Sequence, residues 1–144
     1  TMGKDENMSQ KSNADEWYRF AMMYAQAASY LMGNRGTPYE AICYLGSLSA
    51  ECAMKGFLLK QGADTPPETH NLVELCQACA RFEDEFTPLL DECNLLGRFT
   101  TPSGFPTMEK AALEDALQVM DTARDVLRLT AYSQEQTLGP GMTM

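Results

Sequence analysis

The chain has 144 residues, 44% of them hydrophobic and 22% charged, a composition that fits one globular domain with a single core. The 20 acidic residues outnumber 11 basic ones and leave a net charge of −9. That balance works against non-specific nucleic-acid binding, and no DNA partner is expected, because such binding depends on Lys and Arg displacing counterions from phosphates. The apolar runs read as too short and interrupted to cross a bilayer, and the polar N-terminus has no secretory core, so no membrane and a cytoplasmic setting are expected.

Residues 1–13 read as a polar tail. A first helix is predicted over Asp15–Met32, with Trp17, Phe20, Ala21, Tyr24, Ala27, Ala28 and Leu31 facing inward at three- and four-residue steps. Asn13 offers an N-cap, with Glu16 three residues on, and Gly33 offers a stop. Thr37-Pro38-Tyr39-Glu40 reads as a capping box, with Thr37 at N-cap, Pro38 at N1 and Glu40 at N3. It opens a second helix that runs to Lys60, with Gly62 behind it as terminator.

After a turn at Asp64-Thr65-Pro66-Pro67, a third helix follows Thr69-His70 and carries Leu72, Leu75, Cys76, Cys79 and Ala80 on one face. Thr87-Pro88 restarts a fourth helix through Leu89, Leu90, Cys93 and Leu96. Thr100–Pro106 has the turn chemistry of a loop. The fifth helix is predicted from near Met108 to Tyr132, with Leu113, Leu117, Met120, Ala123 and Leu127 inward, and 133–144 reads as a second tail. No strand pattern and no repeat appear. The expectation is one domain over 14–132, an all-α antiparallel up-and-down bundle of four main helices plus a shorter fifth.

Within the second helix, Ala41, Leu45, Leu48, Cys52, Gly56 and Leu59 form an apolar stripe. Glu51 and Lys55 lie on its border beside Tyr44 and Ser47. The pair reads either as a solvated i,i+4 bridge, worth about 0.2–0.5 kcal/mol, or as the edge of a polar site. Gly46, Ala50, Ala53 and Gly56 predict close approach of another helix, from this chain or a second copy, since interior glycines each cost about 1 kcal/mol. Cys76-x-x-Cys79 falls on an apolar helix face with no matching second pair, so these thiols read as core and no metal or other cofactor is expected. Five cysteines at irregular spacing fit a reducing compartment. His70 is the sole histidine and sits at a helix start. Arg98 ends an apolar helix, where it suits the helix dipole and is also shaped for bidentate phosphate binding.

Taken in order, Ser49-Ala50-Glu51-Cys52-Ala53-Met54-Lys55-Gly56, Thr69-His70-Asn71-Leu72-Val73-Glu74-Leu75 and Gly97-Arg98-Phe99 resemble the HEPN domain family over about residues 14–132. The resemblance implies an all-α bundle, commonly a homodimer and often paired with a nucleotidyltransferase as a two-component toxin–antitoxin or defence system. It also implies either a metal-independent RNase or a non-catalytic module for RNA or nucleotides. The RNase members carry Arg-x4-6-His; Arg98 matches the Arg, but Ser103, Gly104 and Phe105 occupy the histidine positions. The expected reading is a non-catalytic domain that binds a nucleotide, an RNA fragment or a nucleotidyltransferase partner through Glu51, Lys55, His70 and Arg98. The alternative is an RNase that uses Arg98 with His70.

Overall fold

A computed structural model describes the backbone of residues 2–107 and 109–137, and the side chains of residues 13–107 and 109–131. Helix α1 (Met2–Met32) and helix α2 (Tyr39–Lys60) form an antiparallel hairpin. Ser49 Oγ donates to Ala21 O at 2.7 Å, while a Cβ added to Gly56 would lie 3.0 Å from Ala14 O and 3.1 Å from Trp17 Cβ. As numbers rise along α2 they fall along α1. Ala14, Ala21 and Ala28 are fully buried at seven-residue spacing, with Trp17, Tyr24 and Leu31 partly buried three residues after each. That repeat is the seam of a coiled-coil-like pair, and small residues there draw the helices together.

Every residue of α2 from Ser49 to Leu59 is buried. The helix is long and apolar enough to cross a membrane, contrary to the expectation that no run would be, but most of its apolar stretch is buried inside the fold. It is the central core helix, covered by α1 on one side and by helix α5 (Leu113–Thr137) on another. A Cβ at Gly46 would overlap the Val119 side chain of α5. Both interior glycines are therefore explained by helices of this same chain.

Helix α3 (Leu72–Ala80) and helix α4 (Leu90–Leu96) are short, with a 3-10 segment at Asp84–Leu89 before α4 and another at Gly97–Phe99 after it. Together they make the remaining side of the bundle, where Phe86 packs against Phe57 with ring centroids 5.1 Å apart. The architecture is all-α; among the described residues an isolated antiparallel bridge joins Thr100 to Pro106.

Several local expectations are corrected. The α1 backbone is already helical at Met2, so Asn13 lies inside the helix and caps nothing, and residues 2–12 are helical in backbone. Pro38, not Thr37, is the N-cap of α2, in extended conformation with no side-chain cap, so the capping box does not form. Pro88 sits inside the 3-10 segment, and α4 begins only at Leu90. Helix α5 starts at Leu113, five residues later than Met108, with Asp115 Oδ2 accepting from Ala112 N at 2.8 Å. Its buried face is Ala116, Val119, Ala123, Val126 and Leu129; Leu113 and Leu117 are 44% and 48% exposed. In α1, Phe20 points outward at 49% exposure. The side chain of Tyr132, and everything from 138 on, lie outside the described residues.

Candidate functional site

Glu51 and Lys55 stand one helical turn apart in the most enclosed stretch of α2, and they are 5% and 4% exposed. The solvated-bridge reading is therefore wrong. Lys55 Nζ lies 3.0 Å from Glu51 Oε2 and 5.5 Å from the centroid of the Trp17 ring. Two charges so enclosed stand only if each has a partner.

The same Glu51 oxygen accepts a second bond, from His70 Nδ1 at 2.8 Å. A carboxylate only accepts, so the imidazole carries its proton on Nδ1 and leaves Nε2 as the uncommitted nitrogen. Local sequence sets where His70 stands. Asn71 is the N-cap of α3 and accepts from Val73 N and Glu74 N at 2.9 and 3.1 Å, while Thr69 Oγ1 accepts from Asn71 N at 3.0 Å. The histidine is thus the residue just before a well-made cap.

A small hairpin covers one face of the ring. Thr101 N donates to Phe105 O at 2.7 Å, Gly104 N to Thr101 O at 2.9 Å, and Thr107 N to Phe99 O at 3.3 Å. Gly104 has φ +86°, and a Cβ there would lie 2.9–3.0 Å from Cε1, Nδ1 and Nε2 of His70. Near-equal distances to three ring atoms place Gly104 over the plane of the ring. Tyr44 of α2 donates from its hydroxyl to Gly104 O at 2.6 Å. Burial first, then the Glu51 charge, pushes the Tyr44 phenol above its ordinary pKa, so it stays a donor.

Arg98 enters from the 3-10 turn that follows α4. Its guanidinium meets Glu109 at 3.2 Å and Asp115 at 3.4 Å and lies 5.1 Å from the Phe99 ring centroid. His70 and Arg98 line one cleft of about 790 Å³, together with Thr69, Asn71, Glu74 and Thr101. Glu51 and Lys55 form no part of that lining and reach it only through His70. Of the four residues singled out in sequence, two face the cleft and two stand behind the first.

The cysteines are all free and buried. Burial raises the Cys43 and Cys52 thiols to about 12. Cys79 is also pushed up by burial, and Cys93 by its hydrogen bond with Cys76 and by burial. Among the described residues no group of three His, Cys, Asp or Glu could hold a metal ion.

The model of the HEPN domain family matches residues 14–134. The chain belongs to the HEPN family. In this HEPN domain the three segments that carried the likeness meet: Glu51 bonds His70, and His70 shares its cleft with Gly97 and Arg98. The crystal structure of ST0689, an archaeal HEPN homologue, is similar to this chain at a TM-score of 0.63 and 22% identity, over 84% of this chain and 97% of that one. That likeness establishes the fold. No curated protein matches the chain.

The sequence placed Tyr44 beside Glu51 and Lys55 but gave it no role, and it did not mark Gly104, Glu109 and Asp115 as parts of the site. Gly104 carried a partial signal, since Thr-Pro-Ser-Gly is turn chemistry. Nothing in the sequence ties Tyr44 to a loop 60 residues away.

Proposed function

We propose that this HEPN domain is a non-catalytic binding module whose cleft takes a phosphate-bearing ligand, a nucleotide or a short RNA fragment. The observation that carries the reading is the shared lining of one cleft by the sole histidine and by Arg98. Its volume of about 790 Å³ falls in the range of small-ligand sites. Arg98 would hold a phosphate by its two-pronged guanidinium, and His70 would offer its Nε2 edge. The acidic neighbours of Arg98 and the overall charge of −9 favour a small ligand over long nucleic acid. Glu51 and Lys55 support His70 and contact no ligand. A homodimer, and a nucleotidyltransferase partner in a toxin–antitoxin or defence pair, belong to the same proposal by family resemblance. Calorimetric titration with ATP, GTP and short RNAs tests it: binding weakened in both His70→Ala and Arg98→Ala is expected, and no heat with any of the three ligands refutes it.

One observation favours a second reading, a metal-independent RNase. A carboxylate on Nδ1 is how a histidine is oriented to act as a general base. His70 Nε2 would take the proton of a ribose 2′-hydroxyl as its oxygen bonds to phosphorus, Arg98 would stabilise charge on the phosphate, and the 5′-oxygen would leave with a proton from solvent. Ser103, Gly104 and Phe105 stand where RNase relatives place their histidine, which weighs against it. Cleavage of structured RNA in chelator, abolished by either substitution, supports this reading; intact RNA at enzyme excess dismisses it.

A further inference from the structure

The hairpin that leaves Phe99 and returns at Thr107 does more than connect α4 to α5. We propose that it is a strap that positions His70 for the cleft's ligand, with Tyr44 and Gly104 as positioning residues. The proposal rests on the reading of the cleft as a ligand site.

A single bond from Nδ1 to Glu51 fixes one edge of the imidazole but leaves the ring free to swing about that bond. Gly104 removes this freedom, because its backbone lies on the ring face at a distance where a methyl group would not fit. Glycine is required there twice over, for the positive φ and for the approach. The strap in turn needs holding. Phe99, 4% exposed, anchors its base, but Phe105 at its far end is 68% exposed and supplies no core contact. The Tyr44 hydroxyl holds the outer end, through the 2.6 Å bond to Gly104 O. Thr101 and Pro102 of the same strap also line the cleft, so one device sets the ring and one wall together.

Because His70 is the sole histidine, its imidazole signals in NMR are unambiguous. The full chain is compared as wild type, Tyr44→Phe and Gly104→Ala, with and without ATP. Loss of one hydrogen bond of ordinary strength predicts Nδ1–H exchange with water faster by roughly threefold to tenfold in Tyr44→Phe, with displaced ring resonances. ATP affinity is expected to fall by a similar factor, and Tyr44→Phe should add nothing in a His70→Ala background. A strap that served only stability would lower affinity equally with and without His70, which overturns the proposal. Unchanged ring signals in both Tyr44→Phe and Gly104→Ala overturn it as well. If wild type binds none of ATP, GTP and short RNAs, the ligand reading fails separately. The imidazole spectra then still decide the strap, altered signals supporting it and unchanged signals ending it.

Discussion

Replacing Glu51 by Gln keeps the shape of the side chain and removes its charge. Lys55 then holds an ammonium group at 4% exposure with no counter-ion. Breaking a buried pair from one side costs about 3–5 kcal/mol, because the remaining charge has been taken from water without compensation. The Trp17 contact at 5.5 Å persists in both proteins and drops out of the difference. For a chain of this size the loss corresponds to a melting point lower by roughly 10–17 °C. Urea unfolding at neutral pH measures it, and 1 M NaCl should leave the difference nearly unchanged because enclosed charges are poorly screened. The paired replacement Glu51→Leu with Lys55→Met should return to within about 2 kcal/mol of wild type, since an apolar pair has no desolvation to repay and what remains lost is the bond from His70 Nδ1. A loss below about 0.5 kcal/mol in Glu51→Gln, the value of an exposed i,i+4 pair, would refute the reasoning. A double variant weaker than the single one would do the same.

Gly46→Ala should destabilise by about 1–3 kcal/mol in chemical denaturation, although alanine is the better helix former, because the new methyl overlaps Val119; Val119→Ala in the same chain should recover most of the loss. Cys43 and Cys52 ionise near 12 in the fold and near 9 when exposed, so the folded state binds the extra proton and stability falls as pH rises above 9. Each thiol contributes a slope of up to about 1.4 kcal/mol per pH unit between those values, read from urea midpoints, and a flat profile to pH 10.5 contradicts their burial. Glu109→Gln removes one of the two carboxylates that hold Arg98 and should tighten phosphate-ligand binding about twofold to fivefold in calorimetry, the worth of an exposed pair; weaker binding would show that Glu109 belongs to the ligand site.

Helical periodicity and turn residues determined the elements of this protein. The run from Tyr39 to Lys60, the stop at Gly62 and the loop at Thr100–Pro106 follow from local chemistry, and the glycines of α2 announced that something packs closely there. The order of three segments pointed to the HEPN family without any contact being known. Local pattern could not choose between overlapping stripes. Leu113 and Leu117 compete with Ala116 and Val119 for the inner face of α5, and the groove at Gly46 decides for Val119. Capping signals likewise yield to the surrounding chain, as at Asn13, which the helix simply runs through. Glu51 and Lys55 show the same division at the site. Spacing along the helix dictates that they pair, but whether the pair is wet or dry depends on α1 and α3 closing over it. Only tertiary structure could bring His70 to the carboxylate, Arg98 to the cleft and Gly104 onto the ring, because each meeting joins residues with no local hydrogen-bond or helical rule between them.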